Sequence, residues 1–267
     1  MEATCLNCNT EIAQNFCANC GQKKYKRIDR KYIWDEVQYS TVHMNKGFFY
    51  SLKNTLKNPG KTARTFIDGN RVNHYKPIAL AFILSGISAF ISFKIVGLGD
   101  MMNAMQDEQI AKSDMMKDIN AFNQTYNSLI FLALIPFFAL FTKWSFKSWG
   151  HNFYEHVVMN AFILAYYNSI TIILFYPLMF LFKDNESMVM IMTSIATLSF
   201  LIIIPYFFKE FYKEYPFKQV LKRFLIFVVL AFIFSAILFV AAIFGYIMYQ
   251  ATFHPEALKQ FAPPPKP

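Results

Sequence analysis

Residues 77–96 read PIALAFILSGISAFISFKIV. They are apolar for almost their whole length and carry a single charge, Lys94, close to the end. As an α-helix, a stretch of this length extends about 30 Å, which is the thickness of the hydrocarbon core of a bilayer. Pro77 suits the first turn of such a helix, because its missing N–H would have no partner there. The stretch therefore predicts a transmembrane helix.

Similar apolar blocks fill most of the chain that follows. Charged residues make up only 16% of the sequence, and they fall mainly between these blocks. This distribution predicts an all-α polytopic membrane protein with about five transmembrane helices in a membrane domain over residues 77–250. The predicted spans are residues 77–96, 128–146, 157–182, 188–208 and 224–249. We expect the Pro-rich tail, residues 251–267, to be extended.

All four cysteines lie in one short segment ahead of the first span. Residues 5–20 read CLNCNTEIAQNFCANC, with the spacing C-x2-C-x8-C-x2-C. Two C-x2-C turns are how a short chain presents four thiolates to a tetrahedral zinc ion. A segment this small has almost no apolar core, so metal binding would fold it. We therefore predict a zinc ribbon over residues 1–24 that binds one structural Zn²⁺ through Cys5, Cys8, Cys17 and Cys20.

The residue that follows each C-x2-C turn supports this prediction. Such a turn requires a residue that tolerates a positive φ, and glycine and asparagine are the two residue types best suited to it. Asn9 follows the first turn and Gly21 follows the second. The alternative use of the cysteines is a pair of disulfides, which a reducing cytoplasmic location would disfavour. Redox catalysis is a third reading. A zinc ion closed by four thiolates has no open position for catalysis.

Residues 25–76 form a basic segment between the predicted ribbon and the first span. Its apolar residues at helical spacing alternate with lysines, which is typical of helices that lie among lipid headgroups. These residues are Phe48, Phe49, Leu52 and Leu56, and Tyr32, Ile33 and Val37 suggest a similar helix before them. Asn58-Pro59-Gly60 and Asp68-Gly69-Asn70 are predicted turns around a short helix. The basic charge of the segment could bind a polyanion or anionic lipid, and the alternative is that it only sets the topology and keeps the segment solvated.

The distribution of basic residues predicts the orientation. The chain carries a formal net charge of +9. With a cytoplasmic amino end, the cytoplasmic segments hold 20 of the 26 Lys and Arg residues. Five spans then place the carboxyl end in the periplasm. Residues 1–30 contain no apolar signal region, so the first span is expected to act as an uncleaved anchor. Membrane lipid, rather than nucleic acid, is the partner that this charge pattern favours.

Weakly polar side chains inside the spans predict helix-packing faces. Ser85, Ser88 and Ser92 recur at helical spacing in the first span, and Asn160 and Asn168 share one side of the third. Lys94 apart, no ionisable residue lies in the middle of a span, and this argues against an ion-coupled transporter. A passive channel, transporter or lipid-handling protein that uses Ser, Thr and Asn side chains remains open.

The sequence offers no strong catalytic motif. It contains no GxSxG, P-loop or HExxH sequence and no paired carboxylates. The group His151, Glu155 and His156 is one place where metal or proton chemistry is conceivable. A polar start to an interfacial helix, with Trp149 and Tyr154, is the alternative. We therefore expect a non-enzymatic protein.

Three segments carry a resemblance to a known family. FCANCGQ at residues 16–22, NPGKTARTFIDGNRVNHYKP at residues 58–77 and NFYEHVV at residues 152–158 resemble an uncharacterised group of bacterial inner-membrane proteins. Members of that family, a domain of unknown function, combine an N-terminal zinc ribbon with a multi-span helical domain. The resemblance implies a bacterial inner-membrane location and the same four cysteine ligands, and it implies no activity.

Two hypotheses for the function follow. In the first, the cytoplasmic ribbon is a docking or assembly module that binds a protein partner, and the helical domain is its membrane scaffold. In the second, the spans themselves form a passive channel, transporter or lipid-handling protein. A membrane enzyme acting through the His151 group is a weaker third hypothesis. The sequence does not indicate an oligomeric state.

Overall fold

The computed structural model describes residues 3–24, 27–30, 32–33, 47–104 and 114–253. Within these residues, five helical segments are long and apolar enough to cross a membrane. They are Pro77–Val96, Ala121–Ser145, Phe153–Leu181, Glu186–Phe211 and Phe217–Ala241. The predicted all-α polytopic fold is confirmed, and the protein is an integral, multi-pass membrane protein.

The elements ahead of the first span are short. Strands β1 (Ala3–Thr4) and β2 (Glu11–Ile12) form an antiparallel pair. Helices α1 (Gly47–Lys57) and α2 (Pro59–Ile67) follow. Asn58 fixes the start of α2, because its side chain accepts a hydrogen bond from the Lys61 N–H at 2.8 Å.

The remaining elements form the membrane domain. Several candidate spans combine two helices, or a helix and a π-helical turn, in one continuous segment. The bounds are α3 Pro77–Phe90 with the π turn Ile91–Val96, α4 Leu98–Ala104, α5 Asp114–Ser145, α6 Phe153–Ile170 with the π turn Thr171–Phe175, α7 Tyr176–Leu181, α8 Glu186–Leu198, α9 Phe200–Phe211 and α10 Phe217–Phe253.

Helix α6 is the most buried of these elements. Of its 18 residues, 13 are buried, and the helix packs against α2, α3 and α5. A capping box defines its start. The Asn152 side chain accepts a hydrogen bond from the Glu155 N–H at 2.9 Å, and the Glu155 carboxylate accepts one from the Asn152 N–H at 2.7 Å. This reciprocal pair satisfies two backbone donors that the first helical turn would otherwise leave without partners.

The predicted packing faces of the first and third spans lie between helices. Ser85 is buried and accepts a hydrogen bond from the Asn168 side-chain amide at 2.8 Å. Ser88 is buried and pairs with the Tyr176 hydroxyl at 2.8 Å. Between the second and third spans, the Asn160 side-chain amide donates to the Thr142 hydroxyl at 2.9 Å. The prediction that these side chains face other helices is confirmed, and each of these hydrogen bonds joins two spans.

The basic segment is more deeply buried than the sequence suggests. Six of the nine residues of α2 are buried, and the helix packs against α6 and α9. In α1 the buried positions are Ser51 and Thr55, whereas Phe49 is 76% exposed. Ser51 accepts a hydrogen bond from the Tyr75 N–H at 2.6 Å, so a polar side chain joins α1 to the start of α3. Of the predicted helix with Tyr32, Ile33 and Val37, residues 34–46, which include Val37, lie outside the described residues.

The contacts divide the chain into two compact units, Met1–Phe224 and Leu225–Pro267. The described part of the second unit is the continuation of α10 to Phe253. Its apolar side chains are largely exposed; Phe232, for example, is 74% exposed. Exposure of this kind is expected of a helix that faces lipid. Most of the predicted Pro-rich tail, from residue 254 onward, lies outside the described residues.

Candidate metal centre and its contacts with the helical domain

The four cysteines converge at one point in the amino-terminal segment. Their sulfur atoms all lie within 4.8 Å of one another. The Cys5 and Cys20 sulfurs are 3.6 Å apart, and those of Cys8 and Cys17 are 3.5 Å apart. A tetrahedral zinc ion with Zn–S distances of about 2.3 Å separates its sulfur ligands by about 3.8 Å. The cluster therefore has the size of a four-thiolate metal site.

Two backbone turns of the same design produce this arrangement. The Asn9 N–H donates to the Cys5 carbonyl at 2.9 Å, and the Gly21 N–H donates to the Cys17 carbonyl at 2.9 Å. Asn9 has a φ of 59° and Gly21 a φ of 72°. Both values are left-handed, as the sequence predicted for the residue after each C-x2-C turn.

The thiol cluster is also the core of the ribbon. Cys5 and Cys17 are almost fully buried and pack with Ile12, and Cys8 and Cys20 complete the cluster. Ile12 lies on β2, opposite Ala3 of β1. A core this small buries too little apolar surface to be stable alone, so the four cysteines must contribute to folding.

The thiols differ in acidity. Burial raises the pKa of the Cys5 thiol to about 11. Hydrogen bonding with the Thr10 hydroxyl, whose oxygen lies 3.3 Å from the Cys8 sulfur, lowers the pKa of Cys8 to about 6. All four cysteines are free thiols in the structure. A bound cation would favour the thiolate at every position, because metal binding displaces the thiol proton.

The ribbon contacts the helical domain through Gln22. This side chain is 5% exposed, and its amide donates to the Gly69 carbonyl. Its oxygen accepts hydrogen bonds from the Val72 N–H at 2.8 Å and the Arg71 N–H at 3.3 Å. One glutamine thus satisfies three backbone groups in the turn that follows α2. Arg71 also stabilises this turn, because its guanidinium donates to the Phe66 carbonyl at 3.0 Å.

A second contact joins the segment after the ribbon to the start of α6. The Arg27 guanidinium donates to both oxygens of the Glu155 carboxylate, at 2.8 and 3.0 Å, and to the Gly150 carbonyl at 2.8 Å. The Glu155 side chain is only 4% exposed. Beside this pair, the Asn152 side-chain amide donates to the carbonyl of the buried Ile28 at 2.9 Å. We call the Arg27–Glu155 pair the clasp.

The predicted group His151, Glu155 and His156 does not form a single site. Glu155 is engaged by Arg27 and by the capping box. His151 shares a hydrogen bond with the Tyr212 hydroxyl at 3.2 Å. His156 is fully buried, and neither of its ring nitrogens has a hydrogen-bond partner in the described part of the chain. Among the described residues, the four cysteines are the one group placed to share a metal ion.

Burial sets the protonation of the His151–Tyr212 pair. It lowers the pKa of His151 and raises the pKa of Tyr212. Both groups are therefore neutral near pH 7. Tyr212 is also stacked against Phe146, with ring centroids 5.5 Å apart. A neutral histidine in an aromatic cluster is a packing element, as the interfacial-helix interpretation of this segment expects.

Sequence reasoning missed Gln22 and Arg27. Both bind groups that are remote along the chain, and only the fold brings those groups close. One signal was present. Gln22 directly follows the second C-x2-C turn and its glycine, so its backbone is fixed by the cluster itself.

The fold and the cluster define a class: an integral membrane protein with a four-cysteine segment at its amino end that is able to hold a metal ion. Residues 45–89 match a family described as a protein of unknown function, DUF3667. The match includes the turn contacted by Gln22 and residues 77–89 of the first span. No curated protein and no solved structure matches the chain.

Proposed function

We propose that this protein is a non-enzymatic scaffold of a bacterial inner membrane whose zinc ribbon is a docking or assembly module. In this proposal the ribbon lies in the cytoplasm, the carboxyl end lies in the periplasm, and a structural Zn²⁺ is bound by Cys5, Cys8, Cys17 and Cys20. The proposal rests on the cluster of four thiols, which lies on a segment that Gln22 and Arg27 connect to the helical domain.

The choice of zinc rests on the chemistry of the ligands. Thiolates select soft or borderline cations, and four of them in a tetrahedral arrangement are typical of structural zinc. Four protein ligands leave no position for a substrate or water. The bound ion would therefore hold the two turns together.

The docking role rests on what the ribbon exposes. It contacts the helical domain through Gln22. At the exposed edge of this contact, the Asn7 side-chain oxygen accepts a hydrogen bond from the Asn73 amide at 3.1 Å. Leu6 and Phe16, beside the cysteines, are 51% and 59% exposed. Rigid apolar side chains on a fixed backbone are the kind of group that anchors protein interfaces. The partner expected here is a protein with an apolar pocket.

Purification from a mild detergent tests the docking role. We expect a stoichiometric protein partner to be recovered with the wild-type protein and to be lost with the Leu6→Ser/Phe16→Ser variant. Phe49→Ser is the matched control, because Phe49 is an apolar residue of α1, outside the ribbon, that is 76% exposed. The metal content of every variant shows whether the ribbon is still folded. Retention of the partner by the double variant, with its metal bound, would contradict the proposal.

The same preparation distinguishes the scaffold hypothesis from the channel or lipid-handling hypothesis. If the protein is recovered alone, and if it supports passive flux or lipid exchange after reconstitution in liposomes, the channel or lipid-handling hypothesis replaces the scaffold. The hydroxyl and amide side chains that would serve such a pathway are paired with one another across the helix interfaces, as in Ser85–Asn168. Because these side chains bond to one another, the structure favours a role for them in helix packing over a role in a transport pathway.

A further inference from the structure

Helix α1 presents a row of exposed side chains on one of its faces. Phe49, Lys53 and Lys57 are spaced four residues apart, so they lie on the same side of the helix. Phe49 is 76% exposed, and both lysines are exposed. The buried positions of α1, Ser51 and Thr55, lie on the opposite side. We call the exposed row the α1 face.

The buried side of α1 holds the helix at the boundary between water and lipid. Ser51 accepts its hydrogen bond from the Tyr75 N–H, two residues before the first span begins at Pro77. Phe48 and Leu52 pack against an apolar cluster that includes Tyr75 and residues of the first and third spans. In a chain that crosses the membrane at each candidate span, both of these spans begin on the ribbon's side. Helix α1 therefore lies beside the first turns of two spans, at the depth of the headgroups.

The α1 face carries positive charge that the protein does not neutralise. Helices α1 and α2 together contain four basic residues and no acidic one. In α2, Arg64 is paired with Asp68 and Glu214. Lys53 and Lys57 of α1 differ from it, because neither forms a salt bridge or a hydrogen bond within the described part of the chain. Their two ammonium groups are available to an anionic partner.

We propose that the α1 face binds the anionic lipids of the membrane in which the protein is embedded. The Lys53 and Lys57 ammonium groups donate charge-assisted hydrogen bonds to lipid phosphates, and the Phe49 ring lies among the first acyl carbons. An exposed aromatic ring beside the apolar starts of two spans favours lipid over a soluble polyanion. The α1 face is separate from the ribbon side chains Leu6 and Phe16, so the proposal does not depend on their docking role.

Amide hydrogen exchange of the full-length protein in lipid nanodiscs tests the proposal at α1 itself. The nanodiscs contain dioleoyl phosphatidylcholine alone or an equimolar mixture with dioleoyl phosphatidylglycerol. Contact with anionic headgroups opposes local opening of the helix, so we expect residues 47–57 to exchange at least about threefold more slowly in the mixture. High salt should reduce this difference, because it screens the attraction.

Variants assign the protection to the two lysines. Lys53→Gln/Lys57→Gln should exchange at one rate in both kinds of nanodisc, and at the wild-type rate in phosphatidylcholine if α1 is still folded. Lys53→Arg/Lys57→Arg should retain the protection, because it retains the charge.

Lys218→Gln/Lys222→Gln is the matched control. Lys218 and Lys222 are exposed, lie four residues apart on α10, and stand at the start of the fifth span, which also begins on the ribbon's side. This variant loses the same charge as the α1 variant, and we expect it to keep the wild-type difference in the exchange of α1.

Several results would overturn the proposal. Equal exchange of wild-type α1 in the two kinds of nanodisc would show that anionic lipid does not bind there. Equal protection by glycerol phosphate in phosphatidylcholine nanodiscs would indicate a site for free phosphate, and stronger protection by a short RNA would indicate a site for nucleic acid. Loss of the protection in Lys218→Gln/Lys222→Gln would show a general effect of surface charge.

Discussion

Asn9 and Gly21 set the backbone of the thiol cluster. Both have left-handed φ values, and both follow the second cysteine of a C-x2-C turn. For a residue with a Cβ, this conformation costs about 1–2 kcal/mol, a cost that glycine avoids and asparagine partly avoids. The positions were predictable from sequence, because the requirement is local to each turn.

Replacing Gly21 should weaken metal binding, whereas replacing Asn9 by glycine should not. A Cβ at Gly21 would meet no atom within 4 Å, so the cost of Gly21→Ala is purely conformational. We expect about tenfold weaker zinc binding in Gly21→Ala, and unchanged or tighter binding in Asn9→Gly. Competition with a chromogenic chelator measures both. Equal affinity of Gly21→Ala and the wild type would show that the turn does not control the site.

His74 gives the fold a pH dependence at the residue scale. Burial lowers its pKa to about 4, from an ordinary value near 6.5. Between these values the unfolded chain binds a proton that the folded protein does not, so stability falls as pH falls from about 6.5 to 4. His151, whose pKa burial also lowers, acts in the same direction.

A titration of thermal stability checks this dependence. We expect the wild-type protein to lose about 1–3 kcal/mol between pH 7 and pH 4.5 through His74. The His74→Gln variant should show a flatter profile over the same range. A variant profile as steep as that of the wild type would assign the pH dependence to other groups.

At the scale of elements, helix α2 shows where sequence reasoning reached its limit. The break at Asn58 and the turn at Asp68-Gly69-Asn70 were predicted, but Pro59 and Gly60 belong to the first turn of the helix, which runs to Ile67. Its burial against α6 and α9 was not predicted, because a run of lysine and arginine indicates a polar surface. Arg64 instead extends to Glu214, with a nitrogen–oxygen distance of 3.2 Å, so part of the charge is balanced by a partner remote in sequence.

Close packing of α2 on α9 depends on Gly60. A Cβ at this position would overlap the Phe207 carbonyl oxygen and the backbone of Phe211. We expect Gly60→Ala to destabilise the protein by about 1–3 kcal/mol, because the helices would have to separate. Gly86→Ala is the matched control, since a Cβ there meets no atom within 4 Å. Thermal unfolding in detergent compares the two, and similar midpoints would contradict the proposed contact.

The clasp joins the segment after the ribbon to α6. Arg27→Ala would leave the buried Glu155 carboxylate without its guanidinium, at a cost of about 1–3 kcal/mol. We expect faster amide hydrogen exchange near Ile28 and unchanged metal content. Arg30→Ala is the control, because Arg30 is exposed and lies three residues away. Unchanged exchange near Ile28 in Arg27→Ala would show that the clasp does not hold this segment.

At the scale of the whole molecule, the distribution of apolar residues along the sequence predicted most of the fold. The five apolar blocks became the five candidate spans, and Pro77–Val96 has the bounds expected from sequence. The four cysteines were predicted as one site and lie together. The contacts of Gln22 and Arg27 could not be predicted, because each joins groups more than 40 residues apart.

The proposed orientation is a claim about the whole molecule, and the cysteines provide its most direct test. All four lie in residues 5–20, so a thiol label reports on the ribbon alone. The measurement is labelling with a membrane-impermeant maleimide in intact and in permeabilised bacterial cells, with and without a zinc chelator. We predict labelling only in permeabilised cells, and strong labelling only after the chelator removes the metal. Labelling of the ribbon in intact cells would place it outside the cytoplasm and contradict the account.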